Sequence, residues 1–408
     1  MKVLEINAYF SRSGGSQTVF FNTIEGLEKL GHHAIPFCLK WNDNLPCDKY
    51  GDYFPESKET RNSAFGNIVN YFYHREAASK LERLILAERP DIAQIHLIWG
   101  QLTPSILRVL RKHRIPAVLT IHDYRLVCPN YVFRNGHGHV CEQCHGKHFY
   151  RCIANRCCKG SFGKSVMMAA EQYFRNIFHH PAKLLSGIVY VSDFARQIHL
   201  RLMPSLASVP SITLHNMMPH VEADHVSTEN NRTFVYFGRL SFEKGVDLLI
   251  EAFSRLPHAK LKIVGTGPEE TTLKNKVEKL KLTNIEFLGY KTGKELVDII
   301  ERAYFTIIPS QWYENNPMSV IESYAHGVPV IGAHIGGIPE IVLEGKTGFM
   351  FKRDSVEHLV ESIEKASNLQ PQQYAEMKKA AKEFARENFS KDKYMSNLIS
   401  FFESVIKK

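Results

Sequence analysis

Two doubly wound α/β domains in succession are predicted by three features of this 408-residue sequence. Short β-rich apolar runs alternate with longer amphipathic segments along nearly the whole chain. The rhythm restarts after a polar stretch at 217–231 containing Pro219, and no apolar window approaches the length of a bilayer-spanning helix. Composition agrees: 44% hydrophobic, 11% aromatic and 23% charged residues, with 25 Gly and 18 Pro, exclude collagen, coiled coil and extensive disorder.

The elements follow in order. Residues 1–7 form an apolar run broken by Glu5, and Ser11-Arg12-Ser13-Gly14-Gly15 arrives too soon for a signal-peptide core. A buried strand at 3–8 and a cytoplasmic protein are therefore expected. Further strands are expected at 34–39, 92–98, 117–121, 187–191 and 212–215. After the polar stretch they are expected at 233–238, 260–264, 285–288, 305–308 and 328–331. The predicted domains are 1–220 and 221–390, followed by a terminal helix at 391–408 that packs back on the first. That helix has Ser390 as its N-cap and an apolar face of Leu398, Ile399, Phe401, Phe402 and Val405.

Charge is uneven. Of the net +9, residues 1–220 hold 26 Lys+Arg against 16 Asp+Glu, and the remainder hold 25 against 26. A basic first half is expected to meet an anion such as a phospholipid surface or a diphosphate-linked acceptor.

Ligands of open α/β sheets gather at the carboxyl ends of the strands. There the second half places Gly238-Arg239-Leu240 and Glu243-Lys244-Gly245, two cations beside a helix start and thus a pocket for a diphosphate. The next strand ends in Gly265-Thr266-Gly267-Pro268, a glycine turn with Pro268 suited to the first helical position. A later strand delivers Glu314-Asn315-Asn316-Pro317-Met318-Ser319, then Glu322 on a helix beginning near Pro317. Free amides at that start can hold phosphate oxygens, Glu322 can accept bonds from ribose hydroxyls, and Glu314 faces the group beyond the phosphates.

These residues resemble the retaining glycosyltransferases of family four, which have the two-domain GT-B architecture. The match comprises the pair Glu314 and Glu322, the elements at 238–245 and 327–340, and Gly345-Lys346-Thr347-Gly348-Phe349. The resemblance implies two Rossmann-like domains facing across a cleft. It implies a nucleotide-sugar donor whose diphosphate meets Arg239, Lys244, Gly15, Gly265 and the segment Asn316, Pro317, Met318 and Ser319. Glu322 would hold the ribose, Glu314 the donor sugar, and His122 of Thr120-Ile121-His122-Asp123 would bond to that sugar near the reacting carbon. His96, also at a strand end, is a weaker candidate. Many relatives carry Gly-Phe-Gly-Leu where Asn315-Asn316-Pro317-Met318 stand here, so neither a UDP- nor a GDP-sugar is singled out.

The reaction implied is displacement of a nucleoside diphosphate from an anomeric carbon by an acceptor hydroxyl, with retained configuration. No Asp-x-Asp occurs in the sequence, and donor chemistry without a divalent metal is expected, Arg239 and Lys244 replacing the ion. The expected acceptor is a lipid-linked glycan for a bacterial surface polysaccharide, reached at the inner face of the plasma membrane. An alternative is a synthase of the same fold with a small soluble acceptor.

Six of the eight cysteines lie in an insert at 128–160, with a Cys-x2-Cys knuckle at Cys141 and Cys144. In a reducing compartment this suits a structural zinc. Relatives with a similar insert imply Cys128, Cys141, Cys144 and Cys157 as its ligands. Beyond it, 162–185 mixes Met167, Met168, Phe174, Ile177 and Phe178 with Lys164 and Arg175, an amphipathic helix for an anionic membrane or one packed on the sheet. A zinc-containing nucleic-acid-binding protein is the competing class. It leaves Glu314, Glu322 and the glycine loops unexplained, so no nucleic-acid partner is expected.

Overall fold

The computed structural model describes residues 1–12, 14–60, 64–219 and 232–407. The chain divides into two units, Met1–His215 with Lys391–Lys408 and Asn216–Ser390. The division falls immediately before the polar stretch, most of which, including the expected boundary at 220–221, lies outside the described residues.

In the first unit six strands form one parallel sheet: β1 (Lys2–Ile6), β2 (His33–Phe37), β3 (Ile92–Ile95), β4 (Ala117–Ile121), β5 (Gly187–Tyr190) and β6 (Ser211–Thr213), in the order β2-β1-β3-β4-β5-β6. Helices cover both faces, so the inner strands are apolar at nearly every position rather than at alternate ones; β4 is buried throughout. The terminal helix Lys391–Ile406 belongs to this unit. It lays Met395 against Gly26 of the helix Gly15–Lys29, where a side chain on residue 26 would collide with the methionine sulfur.

The second unit repeats the plan with β7 (Thr233–Phe237), β8 (Lys260–Val264), β9 (Ile285–Gly289), β10 (Phe305–Ile308), β11 (Val330–Ala333) and β12 (Gly348–Phe351), in the order β12-β11-β10-β7-β8-β9. All pairings in both sheets are parallel. Strand β12 was not expected. Its first residue, Gly348, closes a glycine-bounded turn, so the short apolar run Phe349-Met350-Phe351 reads as part of that turn. Pro268 does not open a helix either; the helix starts later, at Glu270.

Two glycines set the loops of this sheet. Gly265 has φ +131, and a Cβ there would lie 1.9 Å from the Gly238 carbonyl oxygen, so the loops after β7 and β8 touch backbone to backbone. Gly245 has φ +72, with a Cβ position 2.0 Å from the Pro309 oxygen, which brings the loop after β7 against the loop after β10. Gly265→Ala should destabilise the protein by roughly 2–5 kcal/mol through strain and overlap. Urea denaturation would read this as a lowered midpoint, and a midpoint equal to wild type would show that the two loops are free to separate.

Candidate functional site

In an open parallel sheet the strand order reverses at a switch point, and loops leaving the carboxyl ends there diverge to opposite faces, opening a crevice. In the second unit that point lies between β7 and β10. Arg239, Lys244, Glu314 and the helix Met318–Ala325 all come from the loops that follow these two strands. The loops are bound together by the Gln311 amide, which donates to the Glu243 carbonyl at 2.8 Å.

Glu314 is the hub. Its side-chain Oε1 accepts from Lys244 Nζ at 2.7 Å, Ser310 Oγ at 2.6 Å and Trp312 Nε1 at 2.9 Å, while its backbone oxygen accepts from the Gly337 amide at 2.7 Å. Burial alone would raise this carboxyl, since the residue is only 5% exposed. The Lys244 charge and the bonds from Lys244, Ser310 and Trp312 outweigh burial and hold it below its ordinary value. Lys244 also sits 5.2 Å from the centroid of the Trp312 ring. Arg239 is exposed and makes no ion pair with the described residues.

The helix Met318–Ala325 begins after Pro317, and no side chain caps it. Its leading amides, at Met318 and Ser319, are therefore at an uncapped positive helix end. Asn316 also makes bonds that the sequence did not suggest. Its Oδ1 accepts from the Asn216 amide at 2.7 Å and its carbonyl accepts from Asn216 Nδ2 at 3.0 Å, so it braces the loop. Gly265, also expected at the donor, holds the close loop contact described above. Glu322, one turn into the helix, is desolvated without a compensating cation, and burial pushes its carboxyl up to about 7.

In the first unit, Gly15 opens the helix Gly15–Lys29 after β1, and its preceding residue Gly14 is extended, with no capping side chain. His122 directly follows β4. Its Nε2 lies 2.8 Å from Nδ1 of His96, which follows β3, and His96 Nε2 lies 3.2 Å from Oε2 of Glu5 in β1. The segment after His122 is tied to the helix Phe162–Phe178, where Arg175 Nη2 donates to the Arg125 carbonyl at 2.8 Å and Gln172 Nε2 to the Leu126 carbonyl at 2.6 Å. Buried Arg175 in turn pairs with Glu171 at 3.2 Å and lies 4.2 Å from the centroid of Trp99. Glu5, Ser310, Trp312 and Asn216 were not anticipated as parts of either site. A carboxylate inside a buried parallel strand was the available signal for Glu5, because such a group is costly unless it has partners.

The expected zinc site is not assembled. Cys128, Cys141, Cys144 and Cys157 do line one pocket, together with Cys152 and His145. Yet among the described residues no group of three or more His, Cys, Asp or Glu side chains is placed to hold a metal ion. Cys157 and Cys158 instead interact closely with the Cys152 thiol, which they raise well above its ordinary value. Burial and the neighbouring thiols raise Cys128 and push Cys144 up to about 12.

Comparison with known proteins bears on both units. Residues 13–205 match the Glycosyltransferase Family 4 model and residues 219–384 the Glycosyl transferases group 1 model. An uncharacterized glycosyltransferase of Methanocaldococcus jannaschii is 24% identical over 372 residues, 89% of this chain and 87% of that protein. WcaL of Escherichia coli, a candidate colanic acid biosynthesis glycosyltransferase, is 27% identical over 177 residues, 41% of this chain and less than half of its own length, at 44%. Anabaena HepE, solved in complex with UDP and glucose, superimposes with a TM-score of 0.67 at 16% identity, covering 99% of this chain and all of that one. The two parallel six-stranded sheets are those of the GT-B fold. Two family models that between them take in most of the chain, one over four strands of the first sheet and one over the whole second sheet, show that the protein is a glycosyltransferase enzyme belonging to group 1, family 4.

Proposed function

We propose that this enzyme transfers a glycosyl group from a nucleotide sugar to a hydroxyl of a glycan acceptor, with retained anomeric configuration. The observation that carries the reading is the constellation at the switch point of the second sheet: Arg239, Lys244, an uncapped helix start at Met318 and Ser319, the buried carboxyl of Glu314 and the half-buried, desolvated carboxyl of Glu322. Cations and amides at one crevice suit a diphosphate, and a desolvated carboxyl one helical turn away suits a pair of ribose hydroxyls. As the anomeric carbon–oxygen bond breaks, charge builds on the leaving diphosphate, and Arg239, Lys244 and the helix amides lower the barrier by meeting it. On this reading the donor needs no divalent ion. Glu314 lies at the sugar end of the donor, and His122 of the first unit bonds to the transferred sugar.

A thermal-shift panel of UDP- and GDP-sugars tests donor binding without an acceptor. A ligand present at 100 times its Kd should add about 2.7 kcal/mol of stability and raise the melting temperature measurably, with EDTA making no difference. A flat response to every nucleotide sugar would sink the reading.

The acceptor side is supported by the basic first half and by the likeness to WcaL, which point to a lipid-linked glycan for a surface polysaccharide. Among the described residues no helix is long and apolar enough to cross a membrane. The helix Phe162–Phe178 instead exposes Phe162, Val166, Ile177 and Phe178 beside Lys164. Peripheral binding through this row predicts sedimentation with vesicles rich in acidic lipid and much less with neutral ones. A Phe162→Ser/Ile177→Ser variant that sediments as wild type would remove this face from the account.

A further inference from the structure

Three side chains from three adjacent strands of the first sheet form a line. Glu5 lies in β1, His96 follows β3 and His122 follows β4, and those strands are neighbours in the order β1-β3-β4. The links are short: Glu5 Oε2 to His96 Nε2 is 3.2 Å and His96 Nδ1 to His122 Nε2 is 2.8 Å, with the two imidazole planes only 13° apart. Phe20 meets His96 edge-on at 5.5 Å between ring centroids. Glu5 is wholly buried and His96 is 2% exposed.

With a neutral His96 in the middle, such a line has two proton arrangements. An ionised Glu5 would accept from His96 Nε2–H, His96 Nδ1 would accept from His122 Nε2–H, and Nδ1 of His122 would carry no proton. A protonated Glu5 reverses every bond: its O–H donates to His96 Nε2, His96 Nδ1–H donates to His122 Nε2, and the proton of His122 resides on Nδ1. The surroundings select the second. Glu5 Oε1 is buried without a hydrogen-bond partner, and among the described residues no lysine or arginine pairs with the carboxyl, so a charge there would be uncompensated. Burial accordingly drives Glu5 well above the ordinary carboxyl range and His96 down to about 3, which makes both neutral at physiological pH.

We infer that Glu5 and His96 are positioning residues that fix His122 in the Nδ1–H tautomer, so that the histidine meets its ligand as a hydrogen-bond donor. The inference rests on the proposed role of His122 toward the transferred sugar, and its first test does not require that role. A sugar hydroxyl oxygen would be met by a donor of set direction, and the imidazole would not need to reorient during the reaction.

The experiment uses the full chain labelled with 15N at histidine, and the His122 signals are assigned by their loss in His122→Asn. Long-range proton–nitrogen correlation at neutral pH should show a protonated Nδ1 and an unprotonated Nε2 on His122. Glu5→Gln, whose amide N–H can also donate to His96, should keep that pattern, whereas Glu5→Leu should give a mixture of tautomers. Finding Nε2–H on wild-type His122, or an unchanged tautomer in a folded Glu5→Leu protein, would overturn the inference. Once a donor substrate is in hand, Glu5→Leu should lower kcat by about 10- to 100-fold with little change in donor KM, and Glu5→Gln should restore most of it. Loss of that kinetic effect with the tautomer result intact would count against the role of His122 and leave the tautomer assignment standing.

Discussion

Lys244→Ala should weaken nucleotide-sugar binding by about 10- to 100-fold, the loss of one charge-assisted bond to a phosphate oxygen. The same change should destabilise the ligand-free protein, because Lys244 Nζ is also the cation 2.7 Å from Glu314 Oε1. Removing one partner of a buried pair strands the other; here Lys244 is about a quarter exposed, so roughly 2–3 kcal/mol is expected rather than the 3–5 of a fully buried pair. The pH dependence should change sign with it. In the wild type Glu314 is held below its ordinary value, so its contribution to stability is present above that value and is lost as pH falls through the folded one. Without Lys244 burial dominates, the carboxyl moves up, and stability should fall as pH rises.

The double variant Lys244→Ala/Glu314→Gln separates the two effects. With no charge left to strand, it should recover stability toward wild type and should not recover donor affinity. Calorimetric titration with the donor and urea denaturation of all three proteins check this. If Lys244→Ala binds the donor as tightly as wild type, or if the double variant regains affinity, Lys244 serves the fold alone and the diphosphate lies elsewhere.

What could be read from the sequence follows from the range of the interactions involved. Eleven of the twelve strands announce themselves because a buried parallel strand is a local apolar run, and the loops that carry Arg239, Lys244, Glu314 and Glu322 can be placed because each directly follows such a run or opens the next helix. Pairings across the sheet were not legible. Lys244 and Glu314 are 70 residues apart, and Glu5 and His96 are 91 apart. They meet only because β7 pairs with β10 and β1 with β3, an order the alternation of strands and helices does not specify. Asn316 shows the same limit: its bracing partner Asn216 lies 100 residues earlier, out of reach of any local reading. The cysteine insert fails for a complementary reason. A Cys-x2-Cys spacing fixes two thiols, but a tetrahedral site needs four in one geometry, and among the described residues no three His, Cys, Asp or Glu side chains are placed to hold a metal.

Glu322→Gln should move stability and affinity in opposite directions. Burial pushes this carboxyl from an ordinary 4.5 to about 7, so the folded state holds a proton that the unfolded chain has already released. Between those values the unfolded chain binds fewer protons, and the protein loses stability as pH rises; complete, that loss corresponds to about 3 kcal/mol. A glutamine has no charge to desolvate but must still bury an amide, so above pH 7 a gain of roughly 1–2 kcal/mol is expected, vanishing near pH 4.5. Donor binding should show the reverse. An ionised carboxylate can accept from both ribose hydroxyls, and each such bond to a charged group contributes about 1.5–3 kcal/mol, so affinity for the wild type should climb through pH 7 as the proton leaves. The glutamine variant should bind about 10- to 100-fold more weakly at pH 8, with no such slope. Melting temperatures and donor titrations across pH 5 to 8.5 give both readings from the same samples. A glutamine variant that is less stable than wild type at pH 8, or that keeps the wild-type affinity and its pH slope, would show that Glu322 is a packed helix residue with no part in holding the donor.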